Sequence, residues 1–296
     1  MTELLSICPI CQLTNFNLFL SIKDHFLSKE IFHIMQCSSC GFRFVNPRPN
    51  TSDMKHYYQS ESYISHDASK SDLLSQIYKL ARNISLRNKY YLVRQYCETG
   101  PILDFGCGTG EFLAYCKKKR HQVVGIEPND KARDFAINQQ KLAVFTDLNS
   151  LGVNLRTFDC ITLWHVLEHV HDLDQTLTKI NTLLSTKGTL IIAVPNCNSP
   201  DARKYKTFWA AYDVPRHLYH FTVESFTRLA ARHHFIVEKI LPQKLDAYYV
   251  SMLSEKYQNG KNKYFCSLLN GFRSNFLAKK DNMGYSSQIF ILHRIT

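Results

Sequence analysis

No stretch of this 296-residue chain approaches the roughly 18 consecutive apolar residues that cross a bilayer, so no membrane-spanning helix is expected. The opening segment MTELLSICPICQ has neither a basic stretch nor a long apolar run, so no secretory signal is expected. No internal repeat and no low-complexity tract occurs, which argues against solenoids and tails. Acidic residues are the scarcer charge, 25 against 36 Lys and Arg, giving a formal +11. The imbalance is uneven: residues 201–296 hold 15 basic and 7 acidic residues. Such a basic third suits an anionic partner, whether a phosphate, a nucleotide-sugar, an acidic glycan or RNA, or is simply a solvated surface. With 45% hydrophobic residues a sizeable core can be buried, and a cytoplasmic, globular protein with no membrane partner is expected.

Ten cysteines are present, and their placement divides them. Six are scattered through apolar segments, as free cysteines in a reducing compartment are. The other four form two pairs, Cys8 and Cys11 in CPIC and Cys37 and Cys40 in CSSCG. A C-x2-C turn places two thiolates at the spacing a tetrahedral metal needs, and two such turns supply four sulfurs at about 2.3 Å from one zinc. Such a site is closed and structural. The segment between the pairs is rich in aromatic and β-branched residues, as the short strands of a zinc ribbon are. A ribbon over 1–46 is expected, followed by a linker or lid over 47–67 that begins at Pro47 and Pro49.

Beyond it, helical spacing from 68 to 97 ends at Gly100 and Pro101, and strand and helix patterns then alternate. Strands are expected at PILDFG, QVVGIEP, LAVFTD, FDCITLWHV and GTLIIAVPN, with two more at FIVEKILP and SQIFILHRI. This pattern predicts an α/β fold with a parallel sheet covered by helices on both faces. The domain occupies 68–296, with an insertion at about 250–286.

Gly106, Gly108 and Gly110 follow the first of these strands and open a helix, so backbone can approach a ligand closely there. Asp104, two residues before the first glycine, would repel a pyrophosphate but suits an ammonium group. Glu127 ends the second strand, where a carboxylate accepts from ribose hydroxyls. Asp147 ends the third, within reach of an adenine amino group, or else caps a turn. An amine, a ribose and an adenine without a phosphate describe S-adenosylmethionine.

LDFGCGTGEF, VVGIEPND, FDCITLWHVLEHVHD and GTLIIAVPN, in that order, resemble a class I S-adenosylmethionine-dependent methyltransferase, of the bacterial subgroup with an N-terminal four-cysteine zinc ribbon. WAAYDVPRHLYHFTVESFTRLA extends the likeness, which covers about residues 70–296. The resemblance implies a Rossmann-like seven-stranded sheet of order 3-2-1-4-5-7-6 with the last strand antiparallel. It implies Gly106, Gly108 and Gly110 around the methionine moiety, Asp104 near its amino group, Glu127 on the ribose, and Asp147 with the backbone of Leu148 beside the adenine. It also implies a lid over the cofactor from the segment before the core, where Tyr57, Tyr58 and Tyr63 lie; packing on the ribbon is the alternative.

Methyl transfer to oxygen or nitrogen needs positioning and often a general base. His217 is the first candidate for base or substrate contact, with His220 and His165 behind it. His169 is expected to pack, and a metal held by Asp213, His217 and His220 is the lesser alternative. The expected acceptor is a small molecule or saccharide intermediate, anionic in one version, methylated at oxygen, with carbon methylation open. The alternatives are an RNA methyltransferase gripping phosphates through ribbon and basic third, and a non-catalytic cofactor-binding module.

Overall fold

The cysteine pairs sit on the turns of a small antiparallel sheet. The structure, a computed structural model, describes residues 2–58, 73–152, 157–261, 263–280 and 284–295; Tyr63 lies outside them. After β1 (Thr2–Glu3), the strands β2 (Phe16–Lys23) and β3 (Ile31–Cys37) form a hairpin in which Phe16 faces Cys37 and Lys23 faces Ile31. Alternation along β3 buries Phe32 and Ile34 and leaves Ile31 and His33 outward, the period of two that a half-covered strand requires, while Cys37 at the strand's end is buried out of that period. Next come β4 (Arg43–Val45), β5 (Arg48–Pro49, paired with β1) and a 3-10 turn at Asp53–Tyr58. The expected long helix is α1 (Leu73–Tyr96).

The alternating part follows as β6 (Ile102–Phe105), α2 (Glu111–Lys118), β7 (Val123–Ile126), α3 (Asp130–Asn138), β8 (Ala143–Phe145), β9 (Phe158–Trp164), α4 (Leu173–Leu183) and β10 (Leu184–Pro195). The chain continues through α5 (Pro200–Tyr205), β11 (Tyr219–His220), α6 (Val223–Arg232), β12 (Phe235–Pro242), α7 (Asp246–Asn259), α8 (Tyr264–Lys280) and β13 (Ser287–Arg294). One seven-stranded sheet runs β8-β7-β6-β9-β10-β13-β12, the expected order 3-2-1-4-5-7-6 with the last strand antiparallel. In its parallel part, Ile102 pairs with Val123 on one side and Cys160 on the other. Ile102, Leu103, Ile161, Leu163 and the run Leu190–Ala193 are buried, which is why these strands read as continuous apolar stretches. Thr222 caps α6 through Ser225 in a reciprocal pair of hydrogen bonds.

Two compact units divide the chain, residues 60–164, 175–192 and 292–296 in one, and 1–59, 165–174 and 193–291 in the other. In the latter, β4 pairs with β11, Phe44 opposite Tyr219, so that the ribbon sheet is β11-β4-β3-β2. Arg216, 1% exposed, reinforces this joint: it binds Asp24 at 2.9 Å and Asp213 at 2.6 Å. Asp24 also accepts from the backbone N–H groups of Phe26, Leu27 and Ser28. Burial works against the Asp24 charge, but Arg216 and these N–H groups hold its pKa down at about 2.

Candidate cofactor and acid–base sites

In the first unit, the loop after β6 turns on three left-handed glycines, Gly106 at φ +77°, Gly108 at +56° and Gly110 at +77°. A Cβ on Gly110 would meet Leu142 Cδ1 at 2.5 Å, so that glycine is needed for packing. A Cβ on Gly108 would meet nothing within 4 Å, so its free side is an open cradle. The N-terminal N–H groups of α2 carry no side-chain cap, the arrangement that receives a ligand's polar atoms.

Two carboxylates frame this loop. Asp104 is buried, and its Oδ1 accepts from Thr162 Oγ1 at 2.6 Å. Burial pushes its carboxyl up to about 7, Lys89 and Thr162 work against that shift, and the charge of Glu127 adds to it. Glu127, also buried, accepts from Gly108 N and Asn129 N, both at 2.8 Å, and so fixes the loop while one lone pair on each oxygen remains. Burial raises its pKa as well. Two mutually repelling buried carboxylates fit a ligand with a cationic amino group and hydroxyls, as S-adenosylmethionine has. Asp147 is exposed and accepts from Asn149 N at 2.7 Å and Ser150 N at 2.9 Å, so its side chain serves its own turn; Leu148 follows it there.

The histidines gather in the other unit, around Glu168. This residue sits in the 3-10 turn Leu167–His169 and is fully buried, and its carboxylate has no polar side-chain partner closer than His165 Nδ1, 3.5 Å from Oε1. Burial alone would raise its pKa, but the imidazoles of His165, His217 and His169 overrule it and hold the carboxyl below its ordinary value. One ligating atom from each of Glu168, His169 and His217 lies within 4.8 Å of the others. His217 Nδ1 is 2.8 Å from the Ala211 carbonyl, and His169 Nδ1 is 3.0 Å from that of Arg216 and 2.9 Å from the Tyr58 hydroxyl. A carbonyl only accepts, so in both rings Nδ1 carries the proton and Nε2 keeps a lone pair. The rings meet edge to face at 4.5 Å. Burial, then His217, lowers the His169 pKa to about 4, so that ring is neutral.

His165 has a different state. Its backbone is left-handed at φ +59°, its Nε2 is 3.0 Å from Asp246 Oδ2, and its Nδ1 is 3.5 Å from Glu168 Oε1. Burial opposes its charge, yet Asp246 and Glu168 lift its pKa to about 10. A doubly protonated ring has no lone pair to take a proton, so at neutral pH His165 is a cation that orders the carboxylates. His220 is buried in β11 with Nε2 unpartnered, and burial, then His217 and Arg43, keeps it neutral. Among the described residues, Asp213, His217 and His220 do not gather as a metal group; Asp213 pairs with Arg216. Glu168 and Asp246 are the members that sequence reasoning missed, the Glu-His dipeptide in WHVLEHV being the available signal, while Tyr58, expected in a lid segment, sits on His169.

The four N-terminal cysteines do converge. Their sulfurs lie within 4.8 Å of one another, with Cys8–Cys40 and Cys11–Cys37 both at 3.5 Å. That is far beyond a disulfide and close to the edge of about 3.8 Å expected of a tetrahedron with zinc–sulfur bonds of about 2.3 Å. The donor set and its geometry therefore fit one zinc ion.

Known proteins agree with this architecture. A methyltransferase-domain family matches residues 76–240. An uncharacterised methyltransferase of Alkaliphilus oremlandii is 29% identical over 97 residues, which are 32% of this chain and 45% of that one. A ubiquinone biosynthesis O-methyltransferase of Rhodopseudomonas palustris is 27% identical over 108 residues, 33% of this chain and 40% of that one. The chain thus spans about half the length of the curated relatives it matches. The crystal structure of magnesium protoporphyrin IX methyltransferase from Synechocystis PCC 6803 with bound SAH shares the fold, with a TM-score of 0.52, 13% identity, 83% of this chain covered and all of that one. With more than half its length matched and the sheet order in place, the chain belongs to this methyltransferase-domain family.

Proposed function

We propose that this protein is an S-adenosylmethionine-dependent methyltransferase acting on a small-molecule or saccharide acceptor, at oxygen. When bound, the cofactor would supply an activated methyl group on a sulfonium. Gly106, Gly108 and Gly110 would hold its methionine part, Asp104 its amino group and Glu127 its ribose; Asp147 and Leu148 would border the adenine.

The observation that carries the acid–base part is the buried, ionised Glu168 beside two imidazoles whose Nε2 lone pairs are both available. His217 Nε2 takes the acceptor's proton while Nδ1–H stays on the Ala211 carbonyl, which fixes tautomer and ring angle. Glu168 stabilises the imidazolium that forms, with the neutral His169 beside both. The cation on His165 keeps Glu168 ionised before the reaction starts. Cys8, Cys11, Cys37 and Cys40 would hold one structural zinc, which leaves no position open to substrate.

The test gives the purified protein methyl-labelled S-adenosylmethionine with an extract of its own host, then fractionates the label. Label in small molecules or polysaccharide supports the proposal. Label in a nuclease-sensitive fraction replaces the acceptor by RNA, and no label in any fraction removes the transferase reading.

A further inference from the structure

Helix α8 is packed inside out. The residues it buries are Ser267, Gly271, Ser274 and Ala278, spaced to form one stripe. That stripe is small and polar, and it is well satisfied: Ser274 Oγ donates to Asp201 Oδ1 at 2.8 Å, and the neighbouring Asn270 Nδ2 donates to Glu255 Oε1 at 2.9 Å and to the Tyr205 hydroxyl at 3.0 Å. Gly271 lets the helix approach Tyr248 of α7 so closely that a Cβ would lie 2.6 Å from its ring. The bulky apolar residues point the other way. Phe265 is 80% exposed, Leu268 60%, Leu269 57%, Phe272 62% and Phe276 59%. At 100° per residue these five form a single stripe, roughly 145° around the helix from the buried one.

Water would not favour this arrangement, since the hydrophobic effect sorts such residues inward. Five side chains of this size leave on the order of 500 Å² of apolar surface open, the upper end of what monomers show. The charge beside the stripe says what covers it. Residues 260–280 hold Lys261, Lys263, Arg273, Lys279 and Lys280 and no acidic residue. A second copy would bring five cations against five, and the patch falls short of the ~800 Å² per partner of a standard interface. An apolar stripe flanked by Lys and Arg only is the pattern of a helix lying in the surface of an anionic bilayer, with rings and leucines among the acyl chains and cations at the headgroups.

We propose that α8 docks the protein on an anionic lipid surface, lying in its plane and spanning nothing. No helix among the described residues is long and apolar enough to cross a membrane, and this contact does not require one. It goes beyond the expectation of no membrane partner, and it stands whether or not the transferase reading holds.

Co-sedimentation of the full chain with phosphatidylcholine vesicles, with and without phosphatidylglycerol, tests the proposal at several salt concentrations. The wild type is expected to pellet with the anionic vesicles and to remain in solution with the neutral ones. Leu268→Glu with Phe272→Glu is expected to lower the partition coefficient at least tenfold. Lys279→Glu with Lys280→Glu should lower it too and flatten the salt dependence. Both pairs are exposed, and circular dichroism checks that each variant stays folded. Equal binding to neutral vesicles, or unchanged binding by either double variant, overturns the proposal. So does a wild type that ignores vesicles, and a dimer that Leu268→Glu/Phe272→Glu makes monomeric would name a second copy as the occupant.

Discussion

Asp104→Asn separates two consequences of burying one carboxyl. An aspartate in an unfolded chain titrates near 3.9, whereas burial lifts the folded Asp104 to about 7. The folded state therefore holds the proton more tightly. The stability this confers is complete below about pH 4 and is lost as pH rises, levelling off above about pH 7. Three units at about 1.4 kcal/mol each put the loss on the order of 4 kcal/mol. Asparagine cannot ionise, and its oxygen can still accept from Thr162 Oγ1. The variant's advantage over the ligand-free wild type should therefore grow from about 2 kcal/mol near pH 5.5 to about 4 kcal/mol at pH 8. Cofactor binding should respond in the opposite sense, because a carboxylate is needed to hold the amino group. Wild-type affinity for S-adenosylhomocysteine, which carries the same amino group, should weaken about tenfold per unit below pH 7. In the variant it should be about 10- to 100-fold weaker at pH 8 and nearly flat with pH. Urea unfolding and titration calorimetry between pH 5.5 and 8.5 measure both. A variant less stable than wild type at pH 8, or a wild-type affinity flat across that range, refutes the reasoning.

Other consequences are as direct. Gly108→Ala places a Cβ in open space at φ +56° and should cost only about 1–2 kcal/mol of stability while weakening cofactor binding; Gly110→Ala adds a 2.5 Å clash with Leu142 and should lose more stability, and unfolding and binding curves compare them. Arg216→Met leaves buried Asp24 uncompensated and should cost about 3–5 kcal/mol in urea unfolding, less when combined with Asp24→Asn. Cys37→Ser should release the zinc, read by mass spectrometry, and lower thermal stability and activity together, because the ribbon sheet includes Tyr219–His220, two residues after His217.

The sheet was legible because its central strands β6, β9 and β10 are mostly buried and so read as largely apolar runs, with turn residues between. Asp104, the glycines and Glu127 could be placed for a related reason: they lie in the last residues of β6 or in the loops just beyond β6 and β7, so sequence position nearly fixes spatial position. The cysteine pairs carried their own spacing. What could not be read depends on contacts distant in sequence. Arg216 meets Asp24 across 192 residues, and no local pattern pairs them. His165 reads as a candidate base, but Asp246, on a helix 81 positions later, keeps it protonated. Glu168 carries no local signal of its role, because that role depends on His217, 49 positions later. Asp147 shows the reverse case, since the bonds it makes to its own loop were the local alternative from the start. The region around 250–286 read only as an insertion, because a helix that buries serine and glycine and exposes phenylalanine defeats the usual link between apolar periodicity and burial.

The most direct test of the account compares wild type, His217→Gln and Glu168→Gln for label transfer from S-adenosylmethionine and, in parallel, for S-adenosylhomocysteine affinity. The account predicts transfer slowed roughly 100-fold or more in both variants, with affinity unchanged. Full transfer by either variant would contradict it, because the buried carboxylate and its imidazoles would then have no part in moving the acceptor's proton.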